Sequence, residues 1–380
     1  MTTLRRYFAG QLVLHIGLVL AGFVLLFAFV DSVSEIRNLG RGGYTLEQAL
    51  TVVVFRIPGM VYELLPVATL IGAVWALAQL AAGSEFTVAR ASGLGPRQVL
   101  GLSAFVGLPL VAFTFFLAEV VLPVSEVAAV RTKASADGRL GSGFLSSGFW
   151  MRDYPTGSGE DRVRVRMVNL NSMDPDRRLQ GVRLYEFGEL LTLRRLVEAE
   201  SAFFLRAIAP SANAQEASIW RLEGVRLTDF AADGQVTRSR LSSLELPLYL
   251  SPARLGALMV KPEQMSAREL FLYVDYLQAG KQASGRYEIA FWKKMIYPVA
   301  VWVMLVLALP AAYIQARGGA LGLKVFLAIV AGIGFHLANS LFSHLGLLND
   351  WPAPIVAAIP SLLALAAGLL MLWQLQRRAF

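Results

Sequence analysis

The chain consists of three long apolar runs, a polar middle segment and three further apolar runs. Each run reaches the roughly 20 residues that a helix needs to cross a bilayer. The runs are Tyr7–Val30, Leu64–Ser84, Gln98–Ala118, Met295–Ala316, Val325–Asn349 and Pro354–Gln376. Charged residues make up only 16% of the chain, well below the ~25% of a soluble domain. The sequence therefore predicts an integral membrane protein with six transmembrane helices.

Lysine and arginine concentrate in alternate short connections, and this pattern predicts the orientation. The cations on one side of six crossings are Arg5, Arg6, Arg90, Arg97, Arg317, Lys324, Arg377 and Arg378. The positive-inside rule makes this side cytoplasmic, so we expect both termini there and the middle segment on the opposite, exported side. The formal net charge of +8 is then largely a topology signal, and we expect no nucleic-acid binding.

The middle segment alternates apolar and polar residues, as strands do. The alternating stretches are Arg162–Val168, Leu179–Phe187, Ser218–Phe230 and Val236–Leu250. Turn residues at Asn171–Asp176, Asp233-Gly234 and Pro247 predict breaks between strands. We expect an all-β sandwich or open jelly roll between the third and fourth helices, with either a closed core or a groove for acyl chains. The expected parts are residues 1–133, 134–265 and 266–380.

Two shorter helices are predicted outside the spans. Residues 266–281 should form a connecting helix that Gly280 ends, with Ser266 and Glu269 as its capping box. Residues 84–93, between the second and third spans, should form a helix of about two turns. We expect Ser84 to cap that helix, Glu85 to lie in its first turn, and Gly93 with Gly95 and Pro96 to stop it. Because such a helix is too short to be stable alone, it should lie on its own bundle, on the membrane or in a partner's groove.

An enzyme is the main rival class, and the sequence argues against it. No HExxH, GxSxG or GxxxxGK[ST] pattern is present, and the chain has no cysteine and three histidines. We therefore expect neither a catalytic nor a metal site.

Four polar residues of the fifth span share one helix face, either as a pore lining or as contacts between packed helices. They are His336, Ser340, Ser343 and His344. Glu63 and Glu119 are carboxylates in or near the membrane, which raises a suspicion of function.

The motif Ser84–Gly93, placed between the second and third of six spans that an exported β domain divides, resembles the LptF/LptG family of lipopolysaccharide export permeases. The resemblance covers essentially the whole chain. Several further segments are more similar to the LptG branch than to the LptF branch. They are Phe29–Asp31, Leu39–Tyr44, Gly285–Tyr287, Trp292, Lys294 and Pro298.

The resemblance implies a permease subunit in the bacterial inner membrane, with its β domain in the periplasm. Its implied partners are an LptF-like permease, two copies of an LptB-like ATPase, an LptC-like single-span protein and an LptA-like periplasmic bridge. Lipopolysaccharide would be the substrate. ATP and magnesium would be bound by the partner ATPase, and no cofactor by this chain. A membrane scaffold that anchors periplasmic proteins through its β domain is the alternative.

The resemblance also assigns roles to individual residues. In the coupling helix that contacts the ATPase, it implicates Glu85, Phe86, Ala89, Arg90, Ser92 and Gly93. For the lipid phosphates it implicates Arg37 and Lys133 by motif position, and Arg41 and Arg131 by region only; the alternative is that such cations reach toward headgroups at the interface. The polar face of the fifth span would line a gate beside the first span. Ala28 stands where family members can carry a lysine, so the phosphate contacts are expected to be distributed differently here.

Overall fold

The computed structural model describes residues 2–40, 43–93, 95–137, 149–153, 165–173, 178–188, 192–208, 217–231, 234–248, 261–279, 282–313 and 321–377. The chain forms two compact units. The helical unit comprises Met1–Ser34, Val53–Glu126 and Pro262–Phe380, and the sheet unit comprises Glu35–Val52 and Val127–Lys261. Five residues named individually above lie outside the described residues: Arg41, Asp233, Gly280, Arg317 and Arg378.

Ten α-helices lie in the described part of the chain. They are α1 (Thr2–Ile36), α2 (Leu46–Ala82), α3 (Glu85–Ala91), α4 (Pro96–Phe116), α5 (Leu122–Asp137), α6 (Ala267–Ala279), α7 (Gly285–Ala308), α8 (Pro310–Tyr313), α9 (Leu321–Leu348) and α10 (Ala353–Arg377). A π-helical turn, Leu117–Val121, joins α4 to α5. Six helical stretches among the described residues are long and apolar enough to cross a membrane. The six predicted spans are thus confirmed.

Several helices extend beyond the charge-free runs that predict them. The second begins at Leu46 and includes Arg56. This charge is accommodated because Nη1 of Arg56 donates to Oδ1 of Asp31 on α1, at 3.1 Å. Helix α7 ends at Ala308 and the short helix α8 follows it from Pro310, so the apolar fourth span continues through both to Tyr313. Proline lacks the amide hydrogen that would continue the preceding helix.

Small residues let the spans of the helical unit approach closely. A Cβ at Gly72 of α2 would lie 2.5 Å from the Cα of Ile16 on α1, so no larger residue fits at this crossing. Phe8, Leu12 and Ile16, spaced by four, form the buried stripe of α1. That spacing places them on one helix face, as an amphipathic contact requires.

The connecting helix α6 begins as predicted. The amide of Ser266 donates to Oε2 of Glu269 at 2.9 Å, and the amide of Glu269 donates to Oγ of Ser266 at 3.2 Å. These two reciprocal bonds satisfy amides that have no partner inside the helix. The predicted capping box is therefore confirmed.

The sheet unit contains six described strands that pair antiparallel in sequence order. They are β1 (Phe149–Asp153), β2 (Val165–Met173), β3 (Leu179–Phe187), β4 (Leu193–Ile208), β5 (Ala217–Phe230) and β6 (Val236–Leu248). The predicted strands correspond to β2, β3, β5 and β6, whereas β1 and β4 were not predicted. The expected break at Asn171–Asp176 begins slightly later than predicted, since β2 runs to Met173 and β3 starts at Leu179. The expected break at Pro247 is wrong, because Pro247 lies inside β6. Pro247 is tolerated since β6 is an edge strand of the described sheet.

The sheet curls so that distant strands share one core. Val168 of β2, Trp220 of β5 and Leu248 of β6 belong to a single buried cluster. Nη1 of Arg166 on β2 also donates to the carbonyl oxygen of Pro247 on β6, at 3.1 Å. The inserted all-β domain is confirmed. The described strands pair only with their sequence neighbours, so jelly-roll connectivity stays a prediction.

A row of alternating charges crosses five strands on the core-facing side of the sheet. Its members occupy directly paired positions in the order Asp153, Arg166, Glu186, Arg195 and Asp229. Nη2 of Arg166 lies 2.6 Å from Oε1 of Glu186, and its Nη1 lies 3.3 Å from Oδ2 of Asp153. Arg195 continues the row to Asp229 at 2.5 Å. We call this row the charge ladder; directly opposed unlike charges stabilise a sheet.

Candidate functional site

The short helix α3 is anchored to its own bundle by two of its residues. Phe86 and Ala89 are 2% and 3% exposed. The Phe86 ring meets Phe8 of α1 edge-on at 6.3 Å and Tyr313 of α8 edge-on at 5.2 Å. The helix therefore presents one apolar side to the bundle. Its opposite side, with Glu85 and Val88, is exposed.

The remaining predicted coupling residues lie on the exposed side or at the end of α3. Glu85, Arg90, Ser92 and Gly93 are all exposed. The guanidinium of Arg90 lies 5.1 Å from the ring centroid of Tyr313, a cation–π distance. Of the six predicted residues, the structure thus assigns two to anchoring and leaves four accessible to a partner.

The predicted cap of α3 at Ser84 is wrong, whereas the predicted stop at Gly93 is confirmed. Ser84 has a left-handed backbone, with φ 61°, and its side chain makes no capping bond. An N-cap hydroxyl reaches the first-turn amides from an extended backbone, which Ser84 does not adopt. Gly93, with φ 101°, donates its amide to the Arg90 carbonyl oxygen at 3.0 Å.

Lys133, a predicted phosphate contact, forms an ion pair within the sheet unit. Its Nζ lies 2.9 Å and 3.0 Å from the two carboxylate oxygens of Glu35. The Glu35 side chain is 3% exposed, whereas that of Lys133 is 40% exposed. Tyr44 Oη and Asn38 Nδ2 each lie 3.4 Å from Oε2 of Glu35. Sequence reasoning missed Glu35, because the partner cation is 98 positions away.

The other predicted phosphate contacts do not form a single cluster with Lys133. Arg37 and Arg131 are both exposed. Arg131 and Lys133 are two residues apart on α5, so their side chains project about 200° apart around the helix axis. Arg41 lies outside the described residues. The structure therefore supports Arg37 and Arg131 as accessible cations, and it does not place Arg131 and Lys133 on one face.

Glu119 was suspected of a function and makes a specific contact. Its two carboxylate oxygens each lie 3.1 Å from the amide nitrogen of Ala267, the first residue of α6. Glu119 lies in the π-helical turn after α4. Close by, Nζ of Lys294 on α7 donates to the carbonyl oxygen of Met265. Both contacts fix the start of the connecting helix, so Glu119 has a structural role here. The side chain of Glu63 is exposed.

Comparisons with known proteins add to this geometry. The profile of the family described as lipopolysaccharide export system permease LptF/LptG matches residues 6–374. The chain belongs to the LptF/LptG family. It is 30% identical over 379 residues to the lipopolysaccharide export system permease protein LptG of Haemophilus influenzae, covering 99% of this chain and 98% of that protein. LptG of Escherichia coli K12 is 30% identical over 378 residues, with the same coverage of both chains. The predicted resemblance is confirmed, and LptF/LptG membership supports a transport subunit rather than a catalytic one.

The spans of this LptF/LptG member differ in how much of them is buried. In the most apolar stretch of the first and fifth spans, 11% and 17% of residues are buried. The corresponding values for the second and fourth spans are 78% and 67%. The second and fourth spans thus form the centre of the helical unit. The first and fifth leave most of their apolar surface exposed.

The predicted polar face lies on one of these exposed spans, α9. His336, Ser340 and His344 are exposed, and Ser343 is half-buried. Nδ1 of His344 lies 2.8 Å from the Ser340 carbonyl oxygen, and Oγ of Ser343 donates to the Asn339 carbonyl oxygen at 2.7 Å. These bonds stay within α9 itself. The role of this face at a gate of an LptF/LptG permease stays a prediction.

Proposed function

We propose that this chain is the permease subunit of an ABC transporter that extracts lipopolysaccharide from the inner membrane and passes it to a periplasmic protein bridge. The observation that carries the proposal is the family match over residues 6–374, together with six candidate spans and an inserted sheet. ATP hydrolysis, with its magnesium, takes place in a separate ATPase. Both termini lie in the cytoplasm, and the sheet unit lies in the periplasm.

The proposed partner in the membrane is an LptF-like permease. The largely unburied first and fifth spans support this, because they offer long apolar faces that a second six-span subunit would cover. The polar residues of α9 would then line a gate beside the first span, where an LptC-like single-span protein could insert. An LptA-like bridge would receive the lipid from the periplasmic domains.

The proposed contact to the LptB-like ATPase, which would be present in two copies in the complex, is helix α3. Its exposed side carries Glu85, which can form charge-assisted hydrogen bonds to an arginine of the ATPase. Its buried side carries Phe86, which contacts α1 and α8. A push on the exposed side would therefore move the spans together with α3. The lipid would bind in a cavity between the two permeases, and closure of the nucleotide sites would reach this cavity as a rigid-body movement.

The lipid phosphates would be held near the outer ends of the first and third spans by Arg37, Arg131 and Lys133. Arg37 and Arg131 are exposed, and Lys133 retains 40% exposure beside its carboxylate partner. The acyl chains would lie against the apolar faces of the spans. Collapse of the cavity would then drive the lipid toward the periplasmic sheet.

The test is ATP-driven extraction of lipopolysaccharide from proteoliposomes that contain this chain, the LptF-like permease and the ATPase. We expect Glu85→Ala to abolish most extraction. Glu47→Ala is the matched control, because Glu47 also lies exposed in the first turn of a helix. Each change removes a helix-dipole interaction of about 0.3–1 kcal/mol, but only Glu85 would face the ATPase.

The outcomes separate the proposal from its alternative. Extraction by the wild-type complex that Glu85→Ala removes and Glu47→Ala preserves supports both the transport and the coupling assignment. Equal effects of the two changes would refute the role of Glu85. No extraction by an assembled wild-type complex would refute transport and favour a scaffold that anchors periplasmic proteins.

A further inference from the structure

The buried carboxylate of Glu35 contacts Lys133, one of the proposed phosphate contacts. Glu35 lies in the last turn of α1, and its side chain is 3% exposed. Both of its oxygens are within 3.0 Å of Nζ of Lys133. Tyr44 contributes its hydroxyl at 3.4 Å. This carboxylate is therefore held in place from several directions, and the ammonium group is held against it.

The ion pair changes what Lys133 can offer to an anion. An ammonium has three N–H donors, and the Glu35 oxygens occupy part of that capacity. Its positive charge is also offset by a carboxylate at hydrogen-bonding distance, so a phosphate that approaches the exposed side meets a neutralised pair. Arg37 differs, because no ion pair to it is found in the described part of the chain.

We propose that Glu35 sets how tightly lipopolysaccharide phosphates are held at Lys133, by competing with them for the same ammonium group. This inference rests on the proposed function. A transport site must bind its substrate strongly enough to capture it and weakly enough to release it. A carboxylate fixed behind the cation lowers retention without blocking access, because Lys133 remains open to solvent on its other side.

The test compares the retention of two lipid probes by the full complex in nanodiscs. The probes are bis-phosphorylated lipid A and the same lipid without phosphates. Glu35→Gln keeps the side-chain volume and a carbonyl oxygen for Lys133, but removes the charge. We expect it to retain the phosphorylated probe about five-fold longer, the effect of losing one partly exposed ion pair, and the dephosphorylated probe no longer than wild type does.

Two further variants control for indirect effects. In a Lys133→Met background, Glu35→Gln should give no gain in retention. Asp31→Asn removes a carboxylate one turn earlier on α1, where Asp31 pairs with Arg56 at 3.1 Å. We expect no phosphate-dependent gain from that change.

Either of two results would overturn the inference. Weaker retention by Glu35→Gln would mean that the carboxylate positions Lys133 for the phosphate. Unchanged retention would mean that the ion pair only stabilises the fold. Retention is measured without ATP, whereas extraction by wild type is measured with ATP on the same preparation. Failure of extraction would therefore count against the proposed function and not against the role of Glu35.

Discussion

Arg166 of the charge ladder provides the most demanding test of the sheet unit. Its guanidinium bonds to Glu186 at 2.9 Å through Nε, and it also contacts Asp153 and the Pro247 carbonyl oxygen. The side chains of Arg166, Asp153 and Glu186 are 7%, 4% and 5% exposed. Arg166→Met therefore removes the cation between two buried carboxylates, while Nη1 of Arg195 still lies 3.8 Å from Oε2 of Glu186. Breaking a buried ion pair from one side costs about 3–5 kcal/mol.

The matched control is Arg221→Met in the same sheet. Arg221 pairs with Glu245 at 2.9 Å, but their side chains are 47% and 53% exposed. An exposed pair of this kind contributes about 0.2–1 kcal/mol. The two changes are chemically identical, but Arg166 is buried between two carboxylates and Arg221 is exposed beside one, so we expect the change at Arg166 to cost more.

The assay is amide hydrogen exchange of β2 and β3 in the full chain in detergent. A loss of 3–5 kcal/mol accelerates exchange by about 150- to 5,000-fold, at ten-fold per 1.36 kcal/mol. Arg221→Met should accelerate it by less than about six-fold. Replacing Arg166, Asp153 and Glu186 together with apolar residues should restore most of the protection. Equal effects of the two single changes would refute the reasoning.

Two further changes test contacts in the helical unit. Phe86→Ala should leave ATP hydrolysis intact but lower extraction, because α3 loses its anchor and about 3–5 kcal/mol of packing. The control is Val88→Ala, on the exposed side of α3. Equal extraction by the two variants would contradict the role of Phe86 as the anchor of α3. Glu119→Ala should accelerate amide exchange at Ala267 by about 5- to 30-fold, because a cap of about 1–2 kcal/mol is lost. Unchanged exchange there would show that the Glu119 contact does not stabilise α6.

The spans were the part of the fold most open to prediction. A bilayer-crossing helix needs a long apolar run whatever its partners are, so composition locates the six spans. Their ends were less predictable, as Arg56 shows. It lies inside α2 because Asp31 of another helix pairs with it, and that pairing cannot be read from either segment alone.

The strands were found only where one face alternates clearly. Strand β3 was predicted at its observed bounds, Leu179–Phe187. Strand β4 was missed, because Leu193–Ile208 is rich in leucine, arginine, glutamate and alanine, which favour helices in isolation. Its pairing with β3 and β5 overrides that preference. Strand propensity depends strongly on such neighbours.

The sequence predicted which residues belong to the candidate site, but not which of them are buried or which side chains contact each other. The motif at residues 84–93 gave the position of α3, but not that Phe86 and Ala89 face inward. The predicted phosphate contacts included Lys133, but not its partner Glu35. Each missing relation joins side chains from different segments, and a local pattern carries no information about such pairs.

The sequence by itself determined the class of the protein, its six spans, the inserted β domain and its family. These follow from local hydrophobicity, alternation and motifs, which act over a few turns or strands. Only the tertiary structure decided which charges are neutralised. The pairs Glu35–Lys133 and Asp31–Arg56 and the charge ladder depend on distances across the fold. Burying a charge requires a partner within a few ångströms, and only folding brings such partners together.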